Sequence, residues 1–146
     1  MKAYVAEFIG TFTLVFLGSA SVALAPASVG PIMPALGHGL ALVAIVYTFG
    51  HISGAHVNPA VTIGVAIAGA IKPATAIVYI VVQIVGAIVG AWILNKILSG
   101  QAANFGAFSF TTATSKALLL EAILTFFLVS VVLQAAVAGK AGPAVG

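Results

Sequence analysis

The sequence contains no cysteine, no arginine and no aspartate, and only 5% of its 146 residues are charged. An average soluble domain carries about 25% charged residues, so this composition disfavours a water-soluble globular protein. The absence of cysteine excludes disulfides, zinc–thiolate sites, iron–sulfur clusters and a cysteine nucleophile. The five lysines are scattered and form no basic patch, so no nucleic-acid partner is expected. What is abundant is apolar residues, at 62%, which indicates an integral membrane protein.

Three apolar blocks have the length that a membrane-spanning helix needs, and a fourth, residues 34–50, has it once its flanks are counted. A helix rises about 1.5 Å per residue, so about 20 residues cross a hydrocarbon core of about 30 Å. The first block also resembles a secretory signal peptide, but its apolar run is longer than the usual 7–15 residues, which favours a span. We therefore predict an all-α bundle of four spanning helices in a lipid bilayer, formed by residues 4–25, 34–50, 73–94 and 117–139.

A fifth apolar block, residues 59–71, has 13 residues and is too short to span. It follows a stretch, 51–57, that we expect to be non-helical, and Asn58 and Pro59 suit the cap and first position of a helix. Non-helical backbone at membrane depth is tolerated only when it is buried in protein or lines a water-filled cavity. Residues 51–71 are therefore predicted to dip into the membrane and return as a half-helix.

An internal repeat relates the two ends of the chain. Residues 7–15 match residues 121–129 at Glu, Thr, Phe, Leu and Val, with an offset of 114 residues. Three predicted crossings separate the copies, an odd number, so the second copy enters from the opposite side, as in transporters built from inverted repeats. We predict one membrane domain over 1–146, with a first repeat at 4–98 and the start of a second at 116–140; chance similarity is the alternative.

The predicted loop and half-helix place hydrogen-bond acceptors beside donors. The carbonyls of Gly54, Ala55, His56 and Val57 can accept, and the side-chain amide of Asn58 can donate. The N-terminus of a helix adds free N–H groups and about half a positive charge, which repels cations. This arrangement suits a small neutral molecule that gives and takes hydrogen bonds, above all water. The alternative is that Asn58 only caps the helix.

Residues 50–62 resemble the first Asn-Pro-Ala signature loop of the aquaporin (major intrinsic protein) family, and residues 6–12, 79–87 and 121–125 resemble its first, third and fourth helices. The resemblance implies an aquaporin-like helical bundle with one re-entrant half-helix and the signature Asn58, Pro59 and Ala60. It further implies a passive channel for water and small neutral solutes, with ammonia and hydrogen peroxide expected ahead of glycerol. No enzymatic activity and no cofactor are expected.

The chain also departs from this family's pattern. Family members consist of two such halves, and the repeat offset would place a second signature Asn beyond Gly146. We therefore expect a truncated member with an incomplete inverted repeat, which assembles as a homotetramer if complete. The alternative is a non-conducting remnant, or a half-channel that needs a partner chain.

The resemblance also implies a location in the plasma membrane with a cytoplasmic N-terminus. In that orientation Lys2, Lys72 and Lys140 lie inside, and Lys96 and Lys116 lie outside. The bias of three lysines against two agrees only weakly with the positive-inside rule.

Four further positions carry expected roles. His38 lies 20 residues before Asn58, where the resemblance implies one wall of a selectivity filter; the alternative is a histidine at the membrane interface. Glu7 and Glu121 are the only acids, and a charge at the bilayer centre costs at least about 2.5–3.5 kcal/mol. Each glutamate could extend towards the membrane surface, but the resemblance implies that Glu7, Glu121 and Gln83 brace re-entrant loops of this kind.

His51 and His56 are spaced five residues apart and could suggest a metal site. No carboxylate or thiol accompanies them, so we expect no metal. A membrane metal transporter that uses these histidines is a third functional hypothesis, beside the channel and the non-conducting remnant or half-channel.

Overall fold

The computed structural model describes residues 1–98 and 114–138, and every regular element in these two stretches is helical. The helices are α1 (Lys2–Ala23), α2 (Ile32–Ser53), α3 (Pro59–Ile67), α4 (Pro73–Ile97) and α5 (Thr114–Val132). A 3-10 turn, Ala27–Val29, lies between α1 and α2, and α5 continues into a π-helical turn, Leu133–Val137.

Four of these helices are long and apolar enough to cross a membrane: α1, α2, α4, and α5 followed as far as Ala135. Large apolar side chains are exposed along them, since Leu40 is 66% exposed, Ile88 62% and Phe126 66%. An apolar exterior is what a protein surrounded by lipid requires, and it would be a liability in water. The prediction of an all-helical membrane bundle with four spans is confirmed.

Helix α1 is central, because it packs against both α2 and α4, while α3 packs against α4 and α5. Two glycines on α4 allow the closest approach. A Cβ atom on Gly86 would lie 2.5 Å from the carbonyl oxygen of Phe8, and one on Gly90 would lie 2.8 Å from that of Phe12. Small residues four positions apart let two backbones meet where lipid supplies no hydrophobic drive between helices. The contact fixes the register of α1 on α4.

The non-helical stretch is shorter than the sequence predicted. Helix α2 continues through His51 to Ser53 and ends where Gly54, at φ 87°, adopts the left-handed conformation and donates its N–H to the carbonyl of Gly50. A left-handed glycine is a strong helix stop, and nothing earlier in the segment prevents continuation. The half-helix α3 is also shorter, ending at Ile67 rather than at residue 71. Only residues 54–58 are therefore irregular between α2 and α3.

We predict that Gly86→Ala weakens the α1–α4 contact. The new Cβ would strike the Phe8 carbonyl oxygen, so the helices must separate, at a cost of about 1–3 kcal/mol for overpacking. Thermal unfolding in detergent micelles, followed by circular dichroism, should show a lower midpoint. Gly39→Ala is the matched control, because a Cβ there meets nothing within 4 Å. Equal midpoints for the two variants would contradict the assigned contact.

Candidate functional site

The carboxylate of Glu7 is completely buried and accepts four hydrogen bonds. Its Oε1 accepts from the Ser53 hydroxyl at 2.6 Å and the His56 backbone N–H at 2.9 Å. Its Oε2 accepts from the Val57 backbone N–H and the Gln83 side-chain amide, both at 2.7 Å. Since an ionised carboxylate only accepts, four donors match its capacity. Two helices and the loop thus converge on one side chain of α1.

The loop that Glu7 holds has a strained backbone. Ala55 and Val57 have φ values of 47° and 40°, in the left-handed region that disfavours residues with a side chain. Each such residue costs about 1–2 kcal/mol, and a β-branched residue such as Val57 is especially rare there. Such a conformation persists only where the surroundings over-determine it. Here the surroundings are the Glu7 carboxylate and Gly10, whose missing side chain leaves room for the Val57 side chain.

The direction of the loop carbonyls follows from the same hydrogen bonds. In a trans peptide unit the N–H and the preceding C=O point in opposite directions. The N–H groups of His56 and Val57 point at Glu7, so the carbonyls of Ala55 and His56 point away from it. The N–H of Ala55 donates to the Ser53 hydroxyl at 3.1 Å, which likewise directs the Gly54 carbonyl away. Three successive oxygens therefore leave the buried network.

Asn58 both caps α3 and keeps its donors free. Its Oδ1 accepts the N–H of Ala60 at 2.8 Å, and Pro59 occupies the first helical position. The side chain is half-buried, and its Nδ2 group donates no hydrogen bond within residues 1–98 and 114–138. The cap and the donor role are thus compatible, because they use different atoms of one amide.

A second set of polar contacts supports the loop from behind. The Nδ1 atom of His56 lies 3.2 Å from the Thr62 hydroxyl, which also accepts from the Gln83 amide at 2.9 Å. The His56 ring packs edge-on against Tyr79, and the Tyr79 hydroxyl donates to the Ser53 carbonyl at 3.0 Å. The side chains of Thr62 and Gln83 are fully buried. The network has no unpaired buried side-chain polar atom in the described residues.

A cavity of ≈ 450 Å³ adjoins this network, between the ends of α2, α3 and α5 and the start of α4. Its polar lining comes from the end of α2, the loop and α4, namely Ser53, Gly54, His56, Thr75 and Tyr79. Hydrogen-bonding groups therefore face a space large enough for several water molecules.

His38 lies apart from the Glu7 network, on α2 about 24 Å along the helix axis from Gly54. Its side chain is exposed, and its Nδ1 atom is 3.0 Å from the carbonyl oxygen of Pro34. The structure thus places the expected filter residue and the re-entrant loop at well-separated levels of α2.

Glu121 lies away from the loop that the structure describes, so its bracing role stays a prediction. It is exposed on α5 and forms no hydrogen bond with residues 54–58. The reason is that α5 contacts the outer side of α3, where Val129 packs against Gly64, whereas the loop amides face α1. Glu121 instead borders a groove of ≈ 620 Å³ between α3 and α5.

The two histidines near the loop, His51 and His56, differ in burial and in hydrogen bonding. His51 is exposed on the last turn of α2, whereas His56 is buried and bonded to Thr62. Among the described residues, no group of three or more His, Asp or Glu side chains is placed to hold a metal ion.

Three network residues were missed from the sequence: Ser53, Thr62 and Tyr79. One face of α4 carries Tyr79, Gln83 and Gly86 at helical spacing. This spacing in the sequence could have indicated that Tyr79 faces the same neighbours as Gln83. Ser53 was missed because it was assigned to the loop, and Thr62 because a threonine inside an apolar helix gives no signal by itself.

Comparison with known proteins finds one matching family model and several proteins of similar sequence. The Major intrinsic protein family model matches residues 1–145. The chain is 43% identical to glycerol uptake facilitator protein-like 6 of Lactiplantibacillus plantarum, over 92% of this chain and 63% of that protein. It is 34% identical to aquaporin NIP1-4 of Oryza sativa, over 100% of this chain and 56% of that protein. It is 43% identical to aquaporin TIP1-2 of Zea mays, over 97% of this chain and 59% of that protein. The chain therefore spans less than two thirds of the length of these curated relatives.

We predict that Glu7→Gln destabilises the loop. One carboxylate oxygen would become an NH₂ group facing two donors, and each unsatisfied buried group costs about 1–3 kcal/mol. Hydrogen–deuterium exchange should speed up at the amides of His56 and Val57, and the thermal midpoint should fall.

Glu121→Gln serves as the matched control, since Glu121 is exposed and makes no hydrogen bond to the loop. Protection of the two loop amides that is unchanged in Glu7→Gln, or lost equally in both variants, would refute the bracing role of Glu7.

Proposed function

Because the chain belongs to the major intrinsic protein family, we propose that it forms a passive channel for water and small neutral solutes across the plasma membrane. It is an integral membrane protein, and its family consists of channels that make and break no bond. The proposal therefore includes no enzymatic step and no cofactor.

The observation that carries the proposal is the way Glu7 turns the loop. Its carboxylate takes the N–H groups of His56 and Val57, which directs the carbonyls of Ala55 and His56 outward. We propose that these oxygens, with those of Gly54 and Val57, form a row of acceptors for passing molecules. Water replaces bulk hydrogen bonds by bonds to such a row at little cost, whereas an apolar wall would offer none.

The donors of Asn58 stand next in the proposed path. Its free Nδ2 group and the N-terminus of α3 orient the oxygen of a passing water molecule towards the protein. A water held this way cannot at the same moment accept a proton from its neighbour in the file, which interrupts proton transfer. The positive end of α3, about half a charge, raises the energy of any cation at this level.

The remaining assignments complete the proposed assembly. Residues 4–98 would form the first repeat and residues 116–140 the start of the second, with the N-terminus in the cytoplasm. A homotetramer with one path per subunit follows from the family. Ammonia and hydrogen peroxide would accompany water, because an imidazole at His38 is smaller than the phenyl or indole group of an aromatic filter.

A half-channel that needs a further polypeptide is the second candidate, and the position of Glu121 favours it. A carboxylate exposed on a spanning helix costs at least about 2.5–3.5 kcal/mol at the bilayer centre unless donors reach it. The groove beside it, of ≈ 620 Å³, has room for a covering segment. Reading the gene beyond codon 146 for a second Asn-Pro-Ala separates the two candidates, as does the conduction of residues 1–146 alone.

We expect proteoliposomes containing the protein to shrink faster than empty vesicles in stopped-flow light scattering. Asn58→Asp should lower water permeability about fivefold, which corresponds to one lost hydrogen bond of about 1 kcal/mol. The variant keeps an oxygen to cap Ala60 but loses both N–H donors, and its negative charge should admit cations.

Asn95→Asp makes the same change on α4, away from the loop, and should leave water permeability unchanged. Shrinkage no faster than in empty vesicles, for folded wild-type protein, would reject conduction. Wild-type permeability in Asn58→Asp would reject the donor role of Asn58.

We further predict that His38→Phe lowers hydrogen peroxide permeability more than water permeability, because the larger ring narrows the proposed filter. The two fluxes are measured on the same vesicles, with a fluorescent peroxide reporter inside. Equal fractional losses would count against a filter at His38.

A further inference from the structure

We propose that Gly18 is a positioning residue for His38, and that its missing side chain sets how far the imidazole ring extends into the channel. This inference rests on the proposed function, since it takes His38 to be a filter residue. It adds a residue from a different helix, α1, to the determinants of solute size.

The ring of His38 lies directly against the backbone of Gly18. A Cβ atom placed on Gly18 would collide with Nε2, and would lie 2.5 Å from Cδ2 and 2.8 Å from Cε1. These three atoms form one edge of the ring, so the whole edge occupies the space where a side chain would stand. Gly18 itself is buried, although His38 is exposed.

The opposite edge of the ring is also held. The Nδ1 atom is 3.0 Å from the carbonyl oxygen of Pro34, one turn earlier on α2. A carbonyl oxygen only accepts, so Nδ1 carries a proton. In the neutral ring the bare nitrogen is then Nε2, which faces Gly18. Two contacts on opposite edges thus fix the rotamer of His38.

A reciprocal contact brings α1 and α2 close together at this level. Gly37 of α2 accommodates the side chain of Ser21 of α1, just as Gly18 of α1 accommodates His38 of α2. The Ser21 hydroxyl donates to the Gly18 carbonyl at 2.6 Å, which holds the serine in place. Each helix thus inserts a side chain over a glycine of the other, so the two backbones lie too close to leave room for an extra atom at position 18.

An alanine at position 18 would displace the ring, because the end of a side chain moves at a lower cost than a packed helix does. The ring would move away from α1, since His38 is exposed. The passage would narrow while the chemistry of the filter residue stays the same. Gly18 thus keeps the filter wide enough for neutral molecules larger than water.

The test compares Gly18→Ala with Gly39→Ala, a neighbouring helical glycine where a Cβ meets nothing within 4 Å. Both are expressed from the full open reading frame and reconstituted in vesicles. The ratio of hydrogen peroxide to water permeability should fall severalfold in Gly18→Ala and stay at the wild-type value in Gly39→Ala. An unchanged ratio in a folded, conducting Gly18→Ala protein would overturn the proposal.

A double variant separates ring displacement from general helix packing. Adding Gly18→Ala to His38→Ala should have no further effect on the permeability ratio, because no ring remains to be displaced. A further severalfold fall in the double variant would overturn the positioning role. If Gly18→Ala alone fails to fold, recovery of folding in the double variant supports the proposal and failure of both overturns it.

A spectroscopic measurement tests the contact without relying on conduction. The ¹⁵N chemical shifts of His38, assigned by loss of the signal in His38→Ala, should report a proton on Nδ1 in the wild type and in Gly39→Ala. They should change in Gly18→Ala. Shifts unaffected by Gly18→Ala would refute the positioning role, whereas absence of water conduction with the expected shifts would refute only the proposed function.

Discussion

The fold around the candidate site depends on one buried anion. The Glu7 carboxylate has 0% exposure, and it takes two backbone N–H groups, one hydroxyl and one amide. Hydrogen bonds to a charged group contribute about 1.5–3 kcal/mol each, so four of them outweigh two left-handed residues at about 1–2 kcal/mol each. The strained loop and the buried charge are each unfavourable alone. The loop supplies N–H donors to the carboxylate, and the carboxylate supplies the acceptors that hold the loop in its strained conformation.

The same bonds connect stability to the proposed path. A backbone segment that crosses an apolar region must satisfy its N–H groups internally. Because N–H and C=O are antiparallel in each peptide unit, satisfying the N–H groups of His56 and Val57 on the inside leaves their preceding carbonyls outside. A loop whose N–H groups bond to a carboxylate therefore presents its carbonyl oxygens on the opposite side. No other contact is needed to orient these carbonyls.

The sequence predicted the features that depend on local chemistry. Asn58 and Pro59 cap and begin α3, and four apolar stretches form spanning-length helices, because capping and hydrophobic length are properties of short segments. It placed the end of α2 three residues early, and it predicted a bracing role for both glutamates, of which Glu7 bonds the described loop and Glu121 does not. A repeat in sequence shows that two helices are alike, but it does not supply the loop that the second glutamate would need. Whether a glutamate bonds a loop depends on which segments pack beside it in the folded protein, and a local sequence pattern does not give that.

Helix α1 carries the residues that organise both ends of the proposed channel. Glu7 holds the loop, and Gly18, 11 residues later, receives His38; the two lie about 16 Å apart along the axis and on nearly the same face, since 11 residues make three turns. Gly10, between them, makes room for Val57. Because Gly86 and Gly90 fix the register of α1 on α4, α1 sets the spacing between the loop and the proposed filter residue His38. A shift of α1 along its axis would therefore alter both levels together.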